Sequence, residues 1–155
     1  STSCSAMWGN TATVTCIDNW SEFDGPRDAF IQHTNQARSQ DISFDVIEED
    51  FRKVSWAELP KSNVYLFDGP HTEVDQYDGI AIAQPALDDT HILIVDDYNW
   101  PAVRNGTLRA INDLNLDVEC SLEIRTTQDN STPTVQVHTN SDWHIGYYIA
   151  VMRKQ

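Results

Sequence analysis

Acidic side chains follow each of four apolar runs in the first two-thirds of the sequence. The residues after these runs are Asp18-Asn19-Trp20, Glu48-Glu49-Asp50, Asp68-Gly69-Pro70-His71 and Asp96-Asp97-Tyr98. Carboxylates in such places can bind a cation, accept hydrogen bonds from a sugar hydroxyl or take a proton from a substrate. Asp and Asn are also good turn formers, which is the ordinary explanation for any one of them. Four acidic run ends in succession favour a functional site.

The apolar runs that carry these acids predict the strands of an α/β fold. The runs are Thr13–Ile17, Ile42–Ile47, Asn63–Phe67 and His91–Val95, and their starts lie about 20 to 30 residues apart, as in βαβ units. The segments VTCI, VYLF and ILIV are continuously apolar, which is typical of strands buried on both faces of a parallel sheet. The segment SFDVI alternates, which indicates a strand nearer the edge. Because ligands bind at the carboxyl ends of strands in such sheets, the acids belong to the functional edge.

The segments between these runs predict helices, and the last forty residues predict two more strands. The expected helices are Pro26–Ser39, Ser55–Leu59, Thr72–Leu87 and Pro101–Leu114. Val118–Arg125 and Trp143–Met152 predict an antiparallel pair that closes the edge of the sheet. The sequence thus predicts one α/β domain over residues 1–155, with a mostly parallel sheet and an antiparallel C-terminal strand pair.

The charge balance excludes several classes of partner. The 155 residues include 10 Lys and Arg against 24 Asp and Glu, which gives a net charge of −14. That charge disfavours binding to the phosphates of nucleic acids and to anionic lipid, and no apolar run is long enough to span a membrane. The three cysteines, Cys4, Cys16 and Cys120, form no CxxC pair and predict a reducing, cytoplasmic setting.

Three of the acids come from two strands that would be neighbours in the sheet. Asp68, Asp96 and Asp97 would repel one another there unless a cation neutralised them. Hard divalent ions such as Mg²⁺ or Ca²⁺ take oxygen ligands of this kind, and a set of solvated loop acids is the alternative. His71 lies within reach of the same edge and could be a general base, a metal ligand or a helix-start residue.

Asp18 has a separate possible role. An acid at the end of a strand in a nucleotide-type fold can accept hydrogen bonds from the two hydroxyls of a ribose. Trp20 and Phe51 could flank an adenine, although as core or surface aromatics they need no such explanation. The sequence contains no GxSxG, HExxH or Walker motif, which excludes those serine-hydrolase, zincin and P-loop functions.

Three segments resemble the class I S-adenosylmethionine-dependent methyltransferases. They are VTCIDNW, VYLFDGPHTEVDQYDGI and ILIVDDYNWPAVRNGTLRAI. The DGPH and DDY elements at successive strand ends are most similar to the macrocin O-methyltransferase-like branch, and the resemblance covers nearly the whole chain. It implies a Rossmann-like fold and S-adenosylmethionine as the cofactor. It also implies methyl transfer to a hydroxyl of a small sugar or diol acceptor, with Mg²⁺, or Ca²⁺ in its place.

The resemblance also implies roles for individual residues. The implied cofactor-binding residues are Asp18 at the ribose, with Asn19, Trp20, Glu49, Asp50, Phe51 and Asp68. The implied metal ligands are Asp68, Asp96 and Asp97. The proton of the attacking hydroxyl would go to a base, for which Asp68 and His71 are the alternatives.

The sequence departs from the family at its beginning. The family's first strand and Gly-rich loop have no counterpart, because Ser1–Asn10 resembles the helix that follows that loop. We expect the first strand to be missing, so that the sequence is N-terminally incomplete or the exposed strand edges recruit a second chain as a homo-oligomer. The missing loop also keeps open a non-catalytic methyltransferase-like binding or assembly module. A nicotinamide-dependent oxidoreductase is a weaker alternative because GxGxxG is absent.

Overall fold

The computed structural model describes residues 12–21, 25–38, 42–131 and 145–155, which form an α/β structure. The chain divides into two compact units, residues 1–54 and 55–155. The helix expected within Ser1–Asn10 lies outside the described residues, as do Ser39 at the end of the first predicted helix and Trp143 at the start of the last predicted strand.

The described residues of the first unit form one parallel strand pair and one helix. Its elements are β1 (Ala12–Ile17), α1 (Arg27–Ala37) and β2 (Ile42–Ile47). The two strands pair in parallel register along their whole length and form a two-stranded sheet, so the difference predicted between a buried VTCI strand and an SFDVI strand nearer the edge does not appear in the described residues. The ring of Phe30 in α1 contacts the rings of Trp20 and Phe44, at centroid distances of 5.2 and 6.1 Å, so aromatic packing joins the helix to both strands.

In the second unit, the residues that the structure describes form a four-stranded mixed sheet with two α-helices. Its elements in chain order are a 3₁₀ turn (Trp56–Glu58), β3 (Ser62–Phe67), α2 (Glu73–Ala83), a second 3₁₀ turn (Gln84–Ala86), β4 (Leu87–Val95), α3 (Pro101–Asp113), β5 (Leu116–Ile124) and β6 (Tyr147–Lys154). The strand order is β3-β4-β6-β5, with β3 parallel to β4 and β6 antiparallel to both of its neighbours. The predicted antiparallel C-terminal pair is therefore confirmed. The two strands are not added to the sheet in chain order, because β6 lies between β4 and β5 and, of the two, only β5 is at the edge.

One face of this sheet packs into an apolar core. The core joins side chains of β4 and β6 to side chains of α2 and α3, and it comprises Ile80, Leu93, Val95, Tyr98, Val103, Ala110, Leu116, Tyr148, Ala150 and Met152. Apolar side chains on the opposite face are exposed to solvent: Val64 and Ile92 are 48% and 36% exposed. The prediction that VYLF and ILIV are buried on both faces is thus wrong for the described part of the chain. Only alternate residues of these strands reach the core.

The predicted helix Thr72–Leu87 is too long. Helix α2 ends at Ala83, and β4 begins at Leu87 instead of at His91. Pro85 explains the early end, because proline lacks the amide hydrogen that an α-helix needs and clashes with the preceding turn. The ammonium group of Lys61 donates to the Pro85 carbonyl at 2.7 Å and so satisfies an oxygen left over at this helix end.

The remaining predicted helices agree with the structure within a few residues. Helix α1 begins one residue after Pro26, the short helical segment near Trp56 is a 3₁₀ turn, and α3 begins at Pro101 as predicted. The three α-helices among the described residues have 11, 11 and 13 residues. In the described ranges, no helix is both long and apolar enough to cross a membrane.

Candidate functional site

The acids predicted at the ends of β3 and β4 lie at one edge of the second sheet. Asp68 follows β3 directly, and Asp96 and Asp97 follow β4. The amide of Asp96 donates to the Phe67 carbonyl at 3.3 Å, so the parallel ladder continues to the edge. Strand β6 runs in the opposite direction, and therefore its first residue, Tyr147, arrives at this same edge.

Asp68, His71 and Asp97 converge at this edge. One ligand atom from each lies within 4.8 Å of the others, which is close enough for all three to contact one cation. His71 Nε2 lies 2.6 Å from Asp97 Oδ2, and the two side chains are 34% and 15% exposed. The His71 ring also meets the Trp100 ring edge-on at 4.5 Å. These contacts fix the imidazole on two sides while leaving part of it accessible.

Asp97 reaches His71 from an unusual backbone conformation. Its φ of +56° lies in the left-handed region, which Asp tolerates better than most residues. The Asp97 amide donates to Asp96 Oδ1 at 2.7 Å, and the Asp97 carbonyl accepts from the Trp100 amide at 3.1 Å. Such conformations cost about 1–3 kcal/mol each and persist where the surrounding structure holds them.

Asp96, the third predicted metal ligand, points to a different partner. Its Oδ2 accepts from the Tyr147 hydroxyl at 3.0 Å, while its Oδ1 holds the Asp97 amide. Burial, and then the negative charge of Asp96, raise the pKa of Tyr147, so this phenol is a neutral donor at physiological pH. The structure therefore brings Asp68 and Asp97 together as predicted and adds His71, whereas Asp96 is bonded to Tyr147.

The loop between β3 and α2 sets the place of His71. A side chain at Gly69 would lie 2.6 Å from the Phe67 ring, so the chain can pass over this ring only with glycine at that position. The Thr72 hydroxyl then caps α2 by accepting from the Asp75 amide at 3.1 Å. His71 is thus held between a close-packed glycine turn and a capped helix start.

The predicted cofactor residues of the first unit lie at the carboxyl edge of β1 and β2. Asp18 Oδ1 accepts from the Trp20 amide at 2.6 Å, and Asn19 Oδ1 accepts from the Ser21 amide at 3.1 Å. These bonds form two successive Asx turns, with Trp20 at a left-handed φ of +55°. The turns fix the direction of the Asp18 carboxylate at the end of β1.

The acids after β2 are ordered by short hydrogen bonds. Glu49 Oε1 accepts from the Asp50 amide, and Asp50 Oδ1 accepts from the Arg52 amide, each at 2.9 Å. The Arg52 guanidinium lies over the Phe51 ring at 4.3 Å, so this cation–π contact competes with the predicted adenine contact of Phe51. Arg27 binds the neighbouring Glu48 through two hydrogen bonds of 2.8 and 2.5 Å and lowers the pKa of that carboxyl.

Sequence reasoning missed Tyr147, because its place at this edge depends on the order of the strands. The sequence predicts that Trp143–Met152 pairs antiparallel with Val118–Arg125, and this pattern does not place the last strand next to β4. In the structure β6 begins at Tyr147 and pairs antiparallel with β4, so it begins at the edge where β4 ends. Only the insertion of β6 between β4 and β5 brings the Tyr147 hydroxyl to Asp96.

Comparison with known proteins shows that the fold is similar to that of a solved structure. No protein-family model and no curated protein matches the chain. The chain is similar to the crystal structure of SMU.776, a candidate methyltransferase in complex with SAH, with a TM-score of 0.50 and 12% sequence identity. The similarity covers 90% of this chain and 38% of that one, so the chain spans less than half the length of SMU.776. The chain thus has an α/β, Rossmann-like methyltransferase fold, mostly parallel with antiparallel strands at its C-terminal end.

Proposed function

We propose that this chain belongs to an S-adenosylmethionine-dependent O-methyltransferase that acts on a hydroxyl of a small diol or sugar. The observation that carries the proposal is the convergence of Asp68, His71 and Asp97 at the carboxyl edge of the sheet. A methyl transfer to oxygen needs a base for the hydroxyl proton and a group that stabilises the resulting negative oxygen. A partly accessible histidine supplies the base, and a cation held by the two carboxylates would stabilise the negative oxygen.

His71 is the base in this proposal. The Asp97 carboxylate accepts a hydrogen bond from His71 Nε2, which selects the tautomer that leaves Nδ1 as the proton acceptor. The same contact holds the imidazole in a fixed orientation while it takes the proton, as a carboxylate does in a hydrolase triad. The edge contact with Trp100 holds the ring plane during this transfer.

Asp68 and Asp97 fit a divalent cation. Mg²⁺ is commonly bound by one or two carboxylates, with water or substrate oxygens completing the shell, and these two carboxylates meet that requirement. A bound Mg²⁺ would lower the pKa of the acceptor hydroxyl and favour acceptors with a second, adjacent hydroxyl. The implied third ligand, Asp96, would first have to give up its bond to Tyr147.

The first unit supplies the cofactor residues in this proposal. The Asx turn that orients Asp18 supports its role as the acceptor for the ribose hydroxyls of S-adenosylmethionine. Asn19, Trp20, Glu49, Asp50 and Phe51 would then line the adenine side. SMU.776 was crystallised with SAH, which supports the same class of cofactor for this chain.

Transfer of a labelled methyl group tests this function. The chain is incubated with methyl-labelled S-adenosylmethionine and either catechol or its monomethyl ether, in Mg²⁺ or in EDTA. We expect labelling of catechol in Mg²⁺, a loss of at least about 100-fold in EDTA, and no labelling of the monomethyl ether. Full activity in EDTA would contradict the proposed dependence of the transfer on Mg²⁺. Cofactor binding without transfer to any diol would favour the non-catalytic module.

A further inference from the structure

The Asp96 carboxylate links the end of β4 to the start of β6. One oxygen accepts from the amide of Asp97 at 2.7 Å, and the other accepts from the hydroxyl of Tyr147 at 3.0 Å. Two donors thus bind the two oxygens of one side chain, which fixes its orientation. This orientation matters because the Asp97 amide belongs to the residue with the left-handed backbone.

Two backbone hydrogen bonds tie the same turn to the residues just before Tyr147. The amide of Tyr98 donates to the Gly146 carbonyl at 3.2 Å, and the amide of Asn99 donates to the Ile145 carbonyl at 2.7 Å. Gly146 has a φ of +87°, and a side chain there would clash with the Ile124 carbonyl and approach Asn99 Oδ1. The turn and the start of β6 therefore form one close-packed assembly.

Asn99 supports this assembly from its buried side. Its side chain is fully buried and donates to the hydroxyls of Thr126 and Thr127 at 2.6 and 3.1 Å. Its Oδ1 accepts from the Thr126 amide at 3.1 Å, and Arg104 donates to the carbonyls of Tyr98 and Asn99. With the backbone after Asp97 held in this way, the conformation of Asp97 depends on what holds its own amide.

We propose that Tyr147 is a positioning residue that acts through Asp96 on Asp97. The Tyr147 hydroxyl orients the Asp96 carboxylate, this carboxylate holds the Asp97 amide, and the left-handed turn then places Asp97 Oδ2 2.6 Å from His71 Nε2. Asp96 is thus a positioning residue and not a third metal ligand. The catalytic consequence of this arrangement rests on the proposed function, whereas the structural coupling does not.

Four variants separate the two roles of Asp96, with Mn²⁺ as a spectroscopic stand-in for Mg²⁺. Asp96→Asn keeps an oxygen acceptor for the Asp97 amide, and Asp97→Asn replaces a charged ligand by a weaker, neutral amide oxygen. We expect Asp97→Asn to weaken Mn²⁺ binding by at least about 30-fold, Asp96→Asn by no more than about 3-fold, and Tyr147→Phe by about 10-fold. Tyr148→Phe, one residue further along β6, is the matched control and should bind Mn²⁺ like the wild type.

A second measurement detects the effect of Tyr147 on the contact between His71 and Asp97 in the absence of metal and of catalysis. The ring signals of His71 in NMR spectra of the apo protein report its contact with Asp97. We expect Tyr147→Phe to shift these signals, and Asp96→Asn and Tyr148→Phe to leave them near their wild-type positions. Unmoved His71 signals in Tyr147→Phe, or equal losses of Mn²⁺ binding in Asp96→Asn and Asp97→Asn, would overturn the proposal. If the wild type binds no Mn²⁺ but Tyr147→Phe shifts the His71 signals as expected, the metal of the proposed function is rejected. The coupling from Tyr147 to Asp97 then still holds.

Discussion

The Asp97→Asn variant is expected to lose at least about 100-fold of its rate of methyl transfer, because general-base catalysis alone contributes about 10²–10⁴-fold. Asp97 contacts the proposed base at 2.6 Å and is one of the two carboxylates that fit a cation. Asparagine keeps the size of the side chain and tolerates the left-handed φ of +56°, so the turn should survive. Removing one negative charge from an acidic edge also relieves repulsion with Asp68.

The stability of the same variant separates a catalytic role from a structural one. We expect its free energy of unfolding, measured in urea, to stay within about 1 kcal/mol of the wild type, because the residue lies at a strand end. Asp113→Asn, which alters an exposed acid of α3 that pairs with Arg109, should match the wild type in rate and stability. An Asp97→Asn protein that is folded and fully active with metal would show that Asp97 has neither proposed role.

The Leu93→Ala variant is expected to lose about 2–5 kcal/mol of unfolding free energy. Leu93 is 1% exposed and lies in the middle of the core between β4 and the two helices. The loss is a large share of the roughly 5–15 kcal/mol that stabilises an ordinary domain. Urea unfolding followed by circular dichroism measures the change, with the slope of the transition checked for two-state behaviour.

The neighbouring residue in the same strand provides the control for this loss. Ile92 points to the opposite face and is 36% exposed, so Ile92→Ala removes fewer buried contacts and should lose less than half as much free energy as Leu93→Ala. Equal losses in the two variants would mean that both faces of β4 are covered in solution. That result would restore the prediction that ILIV is buried on both faces.

The apolar runs predicted the strands well, and their failures have local causes. Continuous apolar residues place the ends of β3 and β4 at Phe67 and Val95, as the structure does. The start of β4 was missed because Asp88, Asp89 and Thr90 are polar and sit at the end of the strand away from the site. The pattern of apolar residues also could not show that one face of the sheet in the second unit is exposed. Exposure depends on which face of the sheet the helices cover, and the strand sequences do not encode that.

The site was predictable only in part, since its decisive contacts are formed by tertiary structure. The proximity of Asp68 and Asp97 follows from parallel strands, and the structure confirms it. The contact between His71 and Asp97 depends on the left-handed backbone conformation of Asp97, which no sequence pattern predicts. The hydrogen bond between Asp96 and Tyr147 depends on the order of the strands. The macrocin-like branch, the diol acceptor, Mg²⁺, a cytoplasmic location and a homo-oligomer stay predictions.

Calorimetric titration with SAH is the most direct test of a methyltransferase cofactor site in this chain. We predict binding at one site per chain, weakened at least about 10-fold by Asp18→Ala, because a carboxylate that holds a ribose diol makes two charge-assisted hydrogen bonds. Asp28→Ala is the control, since this acid of α1 is 96% exposed and plays no part in the proposed site. The assignment of a methyltransferase cofactor site would be contradicted if the folded wild type bound no SAH at concentrations up to about 1 mM. A Kd of about 1 mM corresponds to a binding free energy of only about 4 kcal/mol.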